Sequence, residues 1–496
     1  MDQRSAIRFW RHGNIVDVDD VPATTTVLDW LRHDPHSRGT KEGCNEGDCG
    51  ACTVVIADLD PAPGPPRLRW RSANACLVLL PMLHGRALFT IEDVAWSTDG
   101  TLHPIQQAVI DGHATQCGFC TPGVVMSLWC MYQQRAESGR PTTRTELADG
   151  LAGNLCRCTG YRSILDAGEA AFRPPITPID GSPVLAALSG LRSTETFRYA
   201  PRPGSQFLAP RTVAELGRLV DEHPDATLLA GGTDLTPDLA APGRPPVTLV
   251  WTGDVSELAV ITETPTSLRI GGAVTLEDAW AVLSDRIPSL TQMWTRFAAP
   301  AIRHTGTMAG NLVTASPIAD STPVLMALDA TVELRRGDRV RSVPVTELST
   351  GYRQTCLTAG EIVTAIDISL ASLDRDVRAY KLSKRFDSDI SAVSAAMWLA
   401  IEGEVITAAR IAFGGMGPTV ARATHVEDSL IGCGWTAETL AAAQLALAHD
   451  VAPLSDHRGA ADYRMAAARG LLERFWLQTR SEHPLTPSQT EIRSRP

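Results

Sequence analysis

Apolar and polar residues alternate from the start of the chain. Ile7 and Phe9 fall on one face, and Val16 and Val18 alternate with Asp17 and Asp19 beyond a His12-Gly13-Asn14 turn. A period of two on either side of a short turn predicts a hairpin. Val27, Trp30 and Leu31 then recur at helical spacing behind a threonine-rich start, which predicts a short helix. Strand-like runs follow at Thr53 to Ala57 and at Leu68 to Arg71, beyond a glycine-rich loop. Two hairpins and one helix describe a small α+β module over residues 1–90.

From about residue 100 the period becomes helical. Pro104 and Pro122 each suit a first helical turn, with Thr121 as a predicted N-cap. Thr143 to Glu146 reads as a capping box, with Gly153 at the end of that helix. An all-helical domain over 91–172 follows from this pattern. The proline- and glycine-rich stretch RPPITPIDGSP opens a predicted linker over 173–200. The rest mixes short strands, glycine turns and helices, with a composition shift near residue 376. That predicts two α+β parts, 201–375 and 376–485, and a flexible tail at 486–496. The expected fold class is multidomain α+β.

At 496 residues the chain has room for about three domains. A formal charge of −11 argues against a general nucleic-acid or anionic-membrane partner. No apolar run approaches the ~18 residues a membrane helix needs, and MDQRSAIRFWRHGN lacks the apolar core of a signal peptide. Eleven cysteines in a long chain do not describe a secreted disulfide framework, so a reducing cytoplasm is expected.

Eight of those eleven cysteines fall in two groups of four. Cys44, Cys49 and Cys52, followed by a distant Cys76, show the C-x₄-C-x₂-C spacing of a plant-type [2Fe–2S] ferredoxin. Cys117 and Cys120 are joined by Cys156 and Cys158. Structural zinc generally uses paired C-x₂-C units, which fits neither the first spacing nor the C-x-C of Cys156 and Cys158. The first module therefore reads as a ferredoxin-like β-grasp and the second as a helical [2Fe–2S] domain. Two one-electron centres close in sequence imply an electron relay. Cys130, Cys356 and Cys433 are left over, and are expected to behave as small buried hydrophobes.

The motifs EGCNEGDCGAC, QCGFCTPG and GNLCRCTGYR resemble the two [2Fe–2S] motifs of the xanthine dehydrogenase family of molybdenum hydroxylases. The resemblance implies that Cys44, Cys49, Cys52 and Cys76 hold the ferredoxin-type cluster. It implies that Cys117, Cys120, Cys156 and Cys158 hold the second cluster, which in the family lies nearer the molybdenum. Ser163, where proline is usual after GYR, touches no ligand. The chain has no GxGxxG; Gly414-Gly415-Met416-Gly417 lacks the third glycine and reads as a strand-end turn.

Two other stretches, LLAGGTDL and TGTMAGNLVTASPIAD, describe loops rich in free N–H donors of the kind that cradle a pyrophosphate. They are similar to the flavin-binding loops of the same family and of carbon monoxide dehydrogenase flavoproteins, whose fold is not Rossmann. By that similarity Leu229, Ala230, Gly231, Gly232, Thr233, Asp234 and Leu235, with Gly310, Asn311 and Thr314, contact FAD. Phe297 matches the aromatic stacked on the isoalloxazine, and Asp320 the acid near the ring; Asp320 also reads as a helix N-cap. TGYRQT places Tyr352 near the nicotinamide pocket, and AYKLSKRFDSDIS places Lys381 beside the flavin. In that segment Asp389 keeps one acid of the family's pair and Ser388 replaces the other, while Lys384 and Arg385 read as solvated charges. The segment from LIGCGW to ARGLLERF resembles the C-terminal flavoprotein subdomain.

The resemblance implies the iron–sulfur/FAD small subunit of a bacterial two-subunit xanthine dehydrogenase, since no molybdopterin-binding half follows. A separate molybdopterin subunit, in a heterotetramer of two large and two small chains, would hydroxylate xanthine or hypoxanthine, and FAD would reduce NAD⁺. An aldehyde or an N-heteroaromatic is the alternative substrate. A redox-sensing or scaffold protein is the alternative from another class.

Overall fold

The computed structural model describes residues 6–61, 64–96, 100–138, 141–173, 175–245 and 247–490. The first module is a five-stranded mixed sheet of β1 (Ile7–Arg11), β2 (Asn14–Val18), β3 (Thr53–Leu59), β4 (Leu68–Asn74) and β5 (Ala87–Phe89). Their order is β2-β1-β5-β3-β4, and β1 runs parallel to β5. Helix Val27–His33 starts where Thr26 accepts a hydrogen bond from the Asp29 N–H, a side-chain N-cap. Alternation along the strands gives the sheet two apolar faces: Ile7, Phe9, Val54 and Ile56 on one, Trp10, Val55 and Ala57 on the other.

Each face is covered by a different part of the chain. Trp129, in helix Thr121–Ser138, is fully buried and meets Trp70 at 5.7 Å and Phe89 at 5.2 Å between ring centroids. The helical domain and the β-grasp therefore share one core. Thr143 and Glu146 form the expected capping box of helix Arg144–Gly150. Two local expectations are corrected. Thr121 is the first residue of its helix, and its hydroxyl pairs with Thr115 rather than capping. The helix before Gly153 ends at Gly150, and Gly153, at φ 90°, sits instead in a turn pressed against Ala299.

The 173–200 segment is more than a linker. It carries helix Ser182–Leu191, whose Val184 and Leu188 enter the same core as Trp129. Proline and glycine at its start dominate the composition, while the apolar helical spacing that anchors it is only ten residues long.

The opposite face of the β-grasp packs on the next lobe. Phe197, Tyr199, Phe207, Leu249 and Trp251, from a four-stranded sheet, join Ile7 and Phe9 in one cluster. The Tyr199 hydroxyl donates to the Val21 carbonyl at 2.6 Å. Charged groups ring this contact: Asp254 accepts from Arg86 at 2.6 Å and also from Arg211, and Asp58 accepts from Arg71. Arg69 reaches Asp278 at 2.6 Å. Beyond lies an antiparallel five-stranded sheet, with strand Ile362–Ser369 at its centre. The last part is a four-stranded sheet backed by helices Thr424–Leu430, Ala437–Asp450 and Ala461–Thr479. Gly414 ends a strand and Gly415 turns at φ 78°, as the glycine run predicted. Among the described residues no helix is long and apolar enough to cross a membrane.

Trp129→Ala should destabilise the chain by about 3–5 kcal/mol, because it empties the core that joins two domains. Chemical denaturation followed by tryptophan fluorescence and by helical circular dichroism checks this; both probes should shift together.

Candidate functional site

The first four thiols are gathered by the loop between helix Val27–His33 and β3, and by the chain just after β4. The N–H groups of Glu46, Asp48 and Cys49 all point at the Cys44 sulfur, at 3.5, 3.3 and 3.4 Å. The Cys44 N–H points back at the Cys49 sulfur at 3.4 Å. Cys52 and Cys76, both buried, bring their sulfurs to 3.4 Å. Asn74 holds the loop closed by donating to the Gly47 carbonyl at 2.9 Å.

The second four thiols sit ahead of two helices, Thr121–Ser138 and Arg162–Ala171. Cys117 lies near enough to Cys158, and Cys120 to Cys156, for each to shift its partner's titration. In three pairs the thiols titrate in opposite directions. The hydrogen bond with Cys76 lowers Cys52, and the bond with Cys52 together with burial raises Cys76. The Phe119 N–H and then Cys158 lower Cys117, while Cys117 raises Cys158. Burial pushes Cys120 up to about 12; against the upward pull of burial, bonds from Thr159 hold Cys156 down. Two thiols close enough to share a proton are close enough to share one metal.

This pairing matters chemically. Among the described residues, no set of three or more His, Cys, Asp or Glu side chains closes on a single ion. A tetrahedral metal with thiolates at about 2.3 Å spaces them about 3.8 Å apart, close to the Cys52–Cys76 separation. Thiols that meet in twos, two pairs to a loop cluster, suit a two-iron centre in which each iron takes one pair.

The two cysteine loops touch. The Leu155 N–H donates to the Cys49 carbonyl at 3.0 Å. Asn154 donates to the Gly50 carbonyl and to Thr53, both at 3.1 Å, and accepts from Ser127 at 2.6 Å. Gly50, at φ 67°, packs on the Gly153 carbonyl, where any Cβ would overlap it.

The two glycine stretches of the flavin half also converge. A Cβ on Gly231 would overlap the Thr305 carbonyl, and one on Gly306 would stand 3.2 Å from the Thr233 hydroxyl. Thr307 caps the following helix by accepting from the Gly310 N–H at 2.9 Å, and Thr314 donates to the Gly310 carbonyl at 2.9 Å. Leu229 is buried, the Ala230 carbonyl accepts from Trp251, and Leu235 is partly exposed ahead of helix Thr236–Leu239. Asn311 keeps a buried side-chain oxygen without a protein partner, as does the Thr236 hydroxyl. Orphaned polar atoms beside close-packed glycines make a cradle that fits a polar cofactor. The same loops abut the first cysteine group. A Cβ on Gly232 would stand 3.6 Å from the Leu77 carbonyl, and one on Gly47 would stand 3.1 Å from Ile302.

The remaining predicted residues are distributed unevenly. Asp320 and Lys381 meet at 2.5 Å, and Ser391 closes the triangle, 2.6 Å from Asp320 and 3.0 Å from Lys381. All three are buried. Asp320 stands at an N-cap position, but its side chain does not cap the helix because the lysine and serine occupy it. Phe297 is 9% exposed and packs against Trp280 at 6.2 Å. Tyr352 is 63% exposed at a hairpin tip, while its neighbour Arg353 reaches Asp234 at 3.3 Å. Lys384 and Arg385 are not merely solvated: Lys384 donates to the His457 carbonyl, and Arg385 meets Asp48 of the first cysteine loop at 3.3 Å. Ser388 lies beside Gly153 with its hydroxyl buried and unpartnered. Of the three spare cysteines, Cys130 is buried and burial raises it to about 12; Cys433 is exposed, contrary to expectation.

Sequence reading missed Asn74, Asn154, Ser391 and Arg353. The two asparagines lie inside or next to cysteine motifs, a signal that was available. Ser391 is ten residues from its lysine partner, and no spacing announces it.

Four family matches cover most of the chain. Residues 12–80 match the 2Fe-2S iron-sulfur cluster binding domain, and 90–169 the [2Fe-2S] binding domain. Residues 202–370 match the FAD binding domain in molybdopterin dehydrogenase, and 378–479 the CO dehydrogenase flavoprotein C-terminal domain. The class is thus an iron–sulfur flavoprotein: two 2Fe-2S domains, then an FAD-binding domain and a C-terminal flavoprotein domain. Together these domains point to the FAD/iron–sulfur part of the molybdenum hydroxylase family.

Xanthine dehydrogenase of Emericella nidulans is 32% identical over 95% of this chain and 38% of its own length. Aldehyde oxidase 1 of Bos taurus is 29% identical over 96% of this chain and 40% of its own. The chain therefore spans about two fifths of these curated relatives. Among solved structures, quinoline 2-oxidoreductase from Pseudomonas putida 86 matches with TM-score 0.51 and 29% identity, covering 56% of this chain and 97% of that one. Carbon monoxide dehydrogenase from Hydrogenophaga pseudoflava matches with TM-score 0.51 and 28% identity, over 54% of this chain and 94% of that one.

Lys381→Ala strands the Asp320 carboxylate in a dry site and should destabilise the chain by about 3–5 kcal/mol. The double variant Lys381→Met with Asp320→Leu should recover part of that loss, as read from denaturation midpoints.

Proposed function

We propose that this chain is the electron-transfer part of a molybdenum hydroxylase, specifically the small subunit of a bacterial-type xanthine dehydrogenase. The observation that carries the reading is the order of the sites. Cys117 and Cys158 are exposed, and Phe119, Leu155 and Tyr161, close to them in the chain, are 48%, 38% and 41% exposed. The first cysteine group is drier and touches both the second group, through Cys49 and Leu155, and the glycine cradle, through Leu77 and Gly232. That geometry supports a one-way series from a partner-facing surface to the flavin.

In this reading Cys44, Cys49, Cys52 and Cys76 hold one [2Fe–2S] cluster, and Cys117, Cys120, Cys156 and Cys158 the other. The loops 229–235 and 305–314 hold FAD, with Asn311 offering it a buried acceptor. When bound, these groups supply one-electron transfer at the clusters and, at the flavin, collection of two electrons and hydride donation to NAD⁺. The protein contributes position. Backbone N–H groups converge on Cys44, the Asn74 amide fixes the loop, and close-packed glycines hold the cradle shut against Thr305 and Gly306. Substrate hydroxylation belongs to a molybdopterin-carrying partner, in an assembly of two small and two large chains in the cytoplasm. Similarity to quinoline 2-oxidoreductase supports a second reading, in which the partner oxidises an N-heteroaromatic.

Expressed with iron and flavin but no partner, the chain should carry four irons and one FAD, and should oxidise NADH with an artificial acceptor. It should show no purine activity alone. A colourless product loaded with zinc would overturn the reading. Gly231→Ala, whose methyl overlaps the Thr305 carbonyl, should abolish FAD retention while iron content stays at the wild-type value, read from the visible spectrum and metal analysis.

A further inference from the structure

Cys156 is tied into a closed ring of hydrogen bonds. Its N–H donates to the Tyr161 hydroxyl at 3.0 Å. The Tyr161 N–H donates to the Thr159 hydroxyl oxygen at 3.2 Å. The Thr159 oxygen lies 3.1 Å from the Cys156 sulfur. A metal-bound thiolate carries no proton, so Thr159 is the donor in that last bond. Its oxygen is already accepting from Tyr161, which leaves its own hydrogen aimed at the sulfur.

The backbone supports this arrangement at a cost. Tyr161 has φ 68°, ψ −26°, with no glycine's freedom to ease it. A bulky residue there is a genuine outlier, and such strain persists only where surrounding contacts over-determine it. Here the contacts are the two bonds that orient Thr159 and Cys156. The first cysteine group differs, since the bonds to Cys44 come from backbone N–H groups.

We propose that Thr159 is a positioning residue that raises the reduction potential of the cluster held by Cys117, Cys120, Cys156 and Cys158, with Tyr161 holding its hydroxyl on the Cys156 sulfur. The inference rests on the two-cluster reading above. Reduction adds negative charge that spreads onto the ligand sulfurs, so an O–H dipole aimed at one of them stabilises the reduced state more than the oxidised one.

The test is a redox titration of the iron- and FAD-loaded chain followed by electron paramagnetic resonance, comparing wild type with Thr159→Val, Thr159→Ser and Tyr161→Phe. Thr159→Val should lower the second cluster's reduced-to-oxidised ratio about tenfold at a fixed potential, equivalent to about 59 mV for one electron. Thr159→Ser keeps the hydroxyl and should match wild type. Tyr161→Phe should shift the midpoint in the same direction by less, because its backbone N–H still orients Thr159. The first cluster's midpoint should stay fixed in all three, which also reports an intact fold. An unchanged second midpoint in Thr159→Val overturns the proposal, as does an equal shift in Thr159→Ser. Loss of the second signal alone in Thr159→Val also overturns it, because Thr159 would then hold the cluster rather than tune it. Absence of both signals in wild type would instead defeat the two-cluster reading.

Discussion

The contact between Gly50 and Gly153 is the constraint on which the arrangement turns. No side chain separates the two cysteine loops there, so the Leu155 N–H reaches the Cys49 carbonyl and Asn154 reaches the Gly50 carbonyl. A Cβ on Gly50 would overlap the Gly153 carbonyl and push the loops apart, and one on Gly153 would overlap the Ala299 methyl of the flavin half. Electron transfer weakens steeply with distance, so a fraction of a nanometre at this point decides whether two centres act as one path.

That contact is held in place by cores that cross the domain boundaries. The β-grasp sheet is apolar on both faces, and neither face closes on its own module. Trp129 covers one side and the Phe197–Trp251 group the other. Burying both faces against different lobes fixes the first cysteine loop between the second loop and the glycine cradle. The charged ring of Asp58, Arg71, Arg86, Arg211 and Asp254 then orients the contact, since each half-buried acid is paired with a cation.

The far end of the flavin half shows a different device. Asp320, Lys381 and Ser391 satisfy one another in a dry site, and so lock the C-terminal sheet to the lobe before it. Arg385, four residues beyond Lys381, extends the same segment to Asp48 beside the first thiols. A single stretch of the C-terminal flavoprotein domain thus joins the lobe before it to the first cysteine loop.

Local pattern determined much of this protein. Period-two alternation placed the hairpins, helical spacing and the capping box at Thr143 placed helices, and cysteine spacing separated a two-iron centre from zinc. Those features depend on residues close in the chain, or on ligand chemistry that tolerates few spacings. The glycine stretches were legible only by likeness, because a short N–H-rich loop resembles any turn until its partner loop is known. Tertiary structure alone decided that the thiols meet in twos, that Gly231 closes on Thr305, that Asp320 takes Lys381 rather than a helix end, and that helix Ser182–Leu191 anchors an apparent linker. Each of these joins residues far apart in sequence, and their meeting is fixed by which apolar faces bury each other, a choice that no local pattern encodes.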